Sequence, residues 1–211
     1  VKFVPFQHPE WSKLSTRLFD AMPASVQHWT SPHIAEALDE MIESGSYDFI
    51  HVCDIVLAQY LLGKHRNLPM SMDRSRVDLQ FQLTQQALMT KGLKNRLLAW
   101  ECIAKMWAYE KRIAKRVSVE VVCGPDDEVF IRQHISREVP LKVIANGVDL
   151  EYFHPESAPD AREEKPTVLF CGAMDYTPNV DALRWFFGEI HDRLLQKVPD
   201  LQVLIVGKSP L

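Results

Sequence analysis

Hydrophobic and polar positions change period repeatedly along this chain, and the changes predict alternating strands and helices. A strand is expected over 2–6. A helix follows over 11–22, where Trp11, Leu14, Leu18 and Met22 recur at helical spacing. Ser31-Pro32 opens a second helix over 31–44. Serine suits the cap position, and proline suits the first turn, where its missing N–H costs nothing. Ile34, Leu38, Met41 and Ile42 form the apolar stripe of that helix, and Gly45 closes it. The run YDFIHVC at 47–53 reads as a buried strand, 55–62 as a short helix closed by Gly63, and 68–73 as a short strand.

A long helical region is expected over 75–116, broken near Gly92. Then come a strand at 117–123, a helix at 126–134 and a strand at 141–145. Residues 154–166, HPESAPDAREEKP, are polar with three prolines and read as a linker. A last unit runs from Thr167: strand VLFCG, a helix over 180–197, and strand LQVLIVG. This order predicts an α/β fold of parallel, Rossmann-like sheets with flanking helices. Strands as apolar as VLFCG and LQVLIVG predict sheets covered on both faces. Ligands of such sheets bind at the carboxyl ends of the strands, so the residues just after each strand carry the functional information.

Composition narrows the classes. The chain has 211 residues, 46% hydrophobic and 25% charged, which is the composition of a folded domain with a real core. Its formal charge of −4 argues against nucleic acid as partner. No apolar run reaches membrane-spanning length, and no secretory leader is visible, which points to the cytoplasm. Cys53, Cys102, Cys123 and Cys171 are scattered, with no CxxC pair, and read as small buried hydrophobes.

At the strand ends, His51 and Cys53 share one face by period-two alternation, with Asp54 at the tip. This cluster resembles a metal or catalytic site but lacks third and fourth ligands at a familiar spacing. Asp73 and Asp78 follow the next strand. Carboxylates there suit a base or a grip on sugar hydroxyls, and equally suit turns and caps. Asn146-Gly147-Val148-Asp149 marks a turn. The loop from Gly172 to a helix beginning near Pro178-Asn179 offers helix N-terminal N–H groups to a phosphate, without the GxGxxG or P-loop spacing. Gly207 and Lys208 end the last strand.

In order along the chain, IANGVDLEYFHP at 144–155, FCGAMDYTPNVDALRWFFGEI at 170–190 and VLIVGKSP resemble retaining glycosyltransferases of family 4, which have the GT-B fold. YDFIHVCDIVLAQYL and YEKRIAKRVSVEVVCGPDDEVF are similar to the exopolysaccharide sugar transferases associated with PEP-CTERM systems. The resemblance spans about 25–210, and the NGVD-x-x-x-F-x-P block is its most specific part. It implies an acceptor-side domain over 1–153, a linker at 154–166 and the first βαβ unit of a donor-binding domain over 167–211. It implies sugar transfer from a UDP- or GDP-linked donor to a glycan or lipid-linked acceptor, with no metal and no cofactor. By resemblance Asn146, Gly147, Val148 and Asp149, then Gly172, Ala173, Met174, Asn179 and Gly207, serve the donor. His51, Asp54, Asp73 and Asp78 are the catalytic candidates, by position alone.

Three departures qualify it. Cys53 stands where many members carry a second His, the loop after Gly172 has no basic residue, and the family's E-x7-E pair belongs beyond Leu211. The chain therefore reads as an inactive internal piece that tends to self-associate through open sheet edges. The alternative is a non-catalytic α/β scaffold or a degenerate transferase domain.

Residues 91–116 hold eight basic and two acidic residues, a local charge of +6 that leaves −10 elsewhere. Leu93, Leu97, Trp100, Ala104 and Trp107 form an apolar stripe. The favoured expectation is that this stripe packs on the core with a solvated basic back. The other is peripheral contact with the inner membrane through 91–116.

Overall fold

The computed structural model describes residues 3–6, 20–65, 67–89, 92–154 and 165–208, without the side chains of 85, 87–89 and 177. Most of the helix expected over 11–22 and most of the linker at 154–166 lie outside these residues. The chain divides into two compact units, Val1–Gly147 and Val148–Leu211.

The first unit is a four-stranded sheet, β1 Ile50–Cys53, β2 Met70–Arg74, β3 Val119–Val122 and β4 Leu141–Val143, in the order β1-β2-β3-β4 with every pair parallel. Its helices are α1 Ala24–Gln27, α2 Pro32–Ser44, α3 Asp78–Met89, α4 Leu93–Ala114 and α5 Pro125–His134, with a 3-10 turn at Leu57–Leu61. Of the strand expected at 2–6, the described residues 3–6 form no regular element. Gly92 separates α3 from α4 at φ +86°, a backbone state that glycine adopts without strain. Ser31 stands at the N-terminus of α2, but its hydroxyl caps nothing. Its backbone N–H donates instead to the Tyr60 hydroxyl, 2.9 Å away, which donates to the Trp29 carbonyl.

Alternation decides what the sheet buries. Val52, Met70, Met72 and Val122 point to one face and are buried with Ile103, Met106, Tyr109 and Ile113 of α4. Each fully buried side chain of this size stabilises the fold by about 1.5–3 kcal/mol. The opposite face carries His51, Cys53, Ser71 and Asp73, and His51 and Cys53 are exposed. The expectation of a sheet covered on both faces fails here. YDFIHVC, expected as a buried strand, exposes His51 and Cys53 on its second face.

The buried face also holds charge. Arg74 lies between Glu110 of α4 and Glu120 of β3, all three out of solvent. Its Nη1 is 2.9 Å from Glu110 Oε2, and its Nη2 donates to Glu120 Oε1. Glu110 also accepts the Leu79 N–H at 2.8 Å, tying the start of α3 to α4. Burial raises the Glu110 carboxyl above its ordinary range, against the pull of Arg74.

The second unit is a parallel pair, β5 Thr167–Cys171 and β6 Gln202–Val206. Its crossover is helical from α6 Thr177–Trp185 through a π-helical turn at Phe186–Ile190 into α7 His191–Lys197. The helix thus starts three residues earlier than Val180, because Pro178 fits its first turn. Among the described residues of this unit none is buried.

Candidate functional site

The carboxyl-end rim of the first sheet gathers the polar residues that the alternation predicts there. Parallel register sets Cys53 beside Asp73 and His51 beside Ser71. His51 Nδ1 is 2.9 Å from Ser71 Oγ, and its Nε2 lies 3.0 Å from Asp73 Oδ1. Ser71 steadies the imidazole through Nδ1, while the Asp73 carboxylate lies close to Nε2 without hydrogen-bond geometry, and its Oδ1 is buried with no hydrogen bond. The Cys53 thiol is pushed up, first by its hydrogen bond to Asp73, then by burial and by the charges of Asp73 and Asp54. It therefore stays protonated at neutral pH and is a poor nucleophile.

Asp54 caps the rim at φ +80°, a left-handed state that Asp tolerates better than most residues. Its N–H donates to the Asp73 carbonyl at 2.8 Å and its own carbonyl accepts from Leu57, so the chain leaves β1 and turns at once into the 3-10 segment. Strain of this kind collects at functional edges. Asp78, at the start of α3, is buried. Burial raises its carboxyl, while Arg76 at 3.2 Å pulls the other way. The structure brings His51, Cys53 and Asp73 into direct contact and ties Asp54 to the Asp73 backbone; Asp78 feels Asp54 only through charge.

His51, Cys53 and Asp73 each bring one ligand atom within 4.8 Å of the others. The group is weak as a metal centre: two members are exposed, the thiol is held neutral, and a closed tetrahedral site needs a fourth ligand. The described residues give no positive sign of a cofactor.

Asn146 follows β4, where its Oδ1 accepts from the Cys123 thiol at 3.2 Å. Gly147 ends the first unit. Val148 and Asp149 belong to the second, where the Asp149 carboxylate accepts the N–H groups of Glu151 and Tyr152, both at 3.0 Å, as a local turn.

In the second unit the loop after β5 approaches the end of β6 closely. Gly172 N–H donates to the Val206 carbonyl at 2.9 Å, and Met174 N–H to the Lys208 carbonyl at 3.0 Å. A Cβ on Gly207 would overlap the Gly172 carbonyl, and one on Gly172 would meet the Asn179 amide at 2.7 Å. Asn179 Nδ2 donates to the Ala173 carbonyl, so this side chain braces the loop. Gly172, Ala173, Met174, Asn179 and Gly207 thus form one strand–loop–helix turn.

None of the four cysteines is a buried hydrophobe. Cys53 and Cys171 are exposed, Cys102 and Cys123 half-buried, and all four are free thiols. Cys171 occupies the uncovered face of a two-stranded sheet, and Cys53 the polar face of the larger one. Sequence reasoning also missed the Arg74–Glu110–Glu120 cluster, whose members are 36 and 46 residues apart from Arg74. A Glu inside the apolar stripe of α4, at 110, was its one visible signal. No protein-family model matches the chain, and no curated protein matches it.

Proposed function

We propose that the protein belongs to a retaining, nucleotide-sugar-dependent transferase acting on a glycan or lipid-linked acceptor in exopolysaccharide assembly. The support is the NGVD-x-x-x-F-x-P block together with one structural observation: the closed Gly172–Gly207 turn leading into the N-terminus of α6. The N–H groups of Gly172, Met174, Tyr176 and Asn179 are engaged inside the turn, so a diphosphate would take those of Ala173, Asp175 and Thr177. On this reading the donor phosphates sit at 172–179, and His51, Asp54, Asp73 and Asp78 stay the catalytic candidates within the first unit. Asn179 acts by holding the loop shape, since its amide is already engaged.

The loop at 172–179 carries no cation, which favours a second reading, a non-catalytic α/β scaffold. A thermal shift with UDP and GDP separates the two. A ligand at a hundred times its Kd adds about 2.7 kcal/mol. On the transferase reading one nucleotide raises Tm and Gly207→Ala abolishes the shift. No shift with either nucleotide selects the scaffold.

A further inference from the structure

Helix α4 turns the face expected to pack on the core toward solvent. Ile103, Met106, Tyr109, Glu110, Ile113 and Ala114 are its buried residues. The stripe of Leu93, Leu97, Trp100 and Trp107 runs beside them, exposed at 75%, 61%, 53% and 44%. At 1.5 Å per residue it runs for about 21 Å along one line of the helix. Trp107 is fixed in place. Its indole N–H donates to the His134 carbonyl at 2.8 Å, and the Lys111 ammonium sits over its ring, 3.7 Å from the centroid.

Cations border this stripe at both ends. Lys94 and Arg96 flank its start. Lys111 and Lys115 continue the same line, one and two turns beyond Trp107. The Lys115 turn opens into a cavity of about 750 Å³ that Arg112 and Arg116 also line. Arg116 is held there by donating to the His65 and Leu68 carbonyls at 2.9 and 3.0 Å. Of the two acidic residues on the helix, Glu110 is buried against Arg74 and Glu101 pairs with Lys105. The outward face is thus apolar in the middle and positive at its ends.

We propose that the outward face of α4 docks on an anionic phospholipid surface, with Leu93, Leu97 and Trp100 in the interfacial layer and the lysines on lipid phosphates. Three features favour this occupant. The face is one side of a 22-residue helix, long enough to lie along a plane. Trp over Leu with flanking cations is the composition of interfacial helices. A second copy of the chain laid on this face would bring lysine ends against lysine or arginine ends, so charge opposes self-pairing. The inner side of α4 stays in the core, so the contact is one-sided and does not span. Among the described residues no helix is long and apolar enough to cross a membrane. This inference does not depend on sugar transfer.

The test uses the 211-residue chain with vesicles of phosphatidylcholine alone and of phosphatidylcholine with about one-third phosphatidylglycerol, including brominated acyl chains. The expected result is flotation with anionic vesicles only and loss of Trp fluorescence on bromine contact. Trp100→Phe should remove a large part of that quenching. Leu97→Ser should weaken binding, and each of Lys111→Gln and Lys115→Gln should weaken it about fivefold. Leu97, Trp100 and Lys115 are exposed, so the urea midpoint should not move in their variants, whereas Lys111→Gln also loses the contact with the Trp107 ring. Absence of anionic-vesicle binding overturns the proposal. Equal binding to both vesicles, or binding that survives these changes, does so too. A dimer in sedimentation that Leu97→Ser dissolves would assign the face to a second copy and overturn it as well.

Discussion

The two units follow the same local pattern, apolar strands running parallel and joined by helices, and end with different interiors. In Val1–Gly147 four strands share one face, and that face is closed by α4 over Met70, Met72, Val52 and Val122. In Val148–Leu211 two strands pair along their full length, yet no described residue is buried. Leu169 stands beside Leu204 and Cys171 beside Val206, all on one uncovered face. Strand pairing alone does not make a core. A two-stranded sheet is marginal in water because one helix covers only one of its faces. The first unit has enough interior to hold even a charged cluster; the second has none in which a side-chain deletion would leave a cavity.

The comparison breaks most readily at Arg74. Arg74→Met leaves Glu110 and Glu120 buried without their counterion and should cost about 3–5 kcal/mol in urea unfolding. The loss should depend on pH. The Glu110 carboxyl, already raised by burial, then titrates above its unfolded value. Its contribution is therefore retained below the unfolded pKa and lost as pH rises through the folded one. Melts at pH 4.5 and 7.5 should show the variant closest to wild type at the lower pH. A pH-independent deficit would count against the buried pair.

Next in size is a matched pair of truncations. Met72→Ala should cost about 2–4 kcal/mol, because the surroundings cannot close the cavity. Leu169→Ala, the same loss of a branched or long chain on the open face, should cost no more than about 0.5 kcal/mol by the same measurement. Similar costs would mean that the second unit has a core after all. Gly207→Ala should separate β5 from β6 locally, at about 1–3 kcal/mol by overpacking, while leaving the first unit's near-UV circular dichroism unchanged.

The smallest effect is expected at Asp78. Its carboxyl is raised by burial, so wild type loses a little stability as pH rises through that group's folded pKa. Asp78→Asn should remove this slope. It should gain about 1 kcal/mol or less at neutral pH and nothing below the ordinary carboxylate range. A loss at neutral pH would show that the Arg76 contact outweighs burial.

Element order was legible because it depends on local period: β1 to β6 and the break at Gly92 all follow from runs of a few residues. Orientation was not. Helix α4 carries two apolar stripes, and the more hydrophobic one, with two tryptophans, faces out. The inward stripe contains Tyr109 and Glu110, which look polar until Tyr109 donates to the Ile55 carbonyl and Glu110 meets Arg74. Those partners lie tens of residues away, beyond the reach of any period. The rim was half legible. Alternation puts His51 and Cys53 on one face, but only the β1–β2 register places Asp73 and Ser71 beside them.

The measurement that tests the contrast most directly is native-state hydrogen exchange of the strand amides. Amides of β1–β3 should exchange only on global unfolding of their unit, and those of β5 and β6 by local opening orders of magnitude faster. Equal protection in the two sheets would contradict the account.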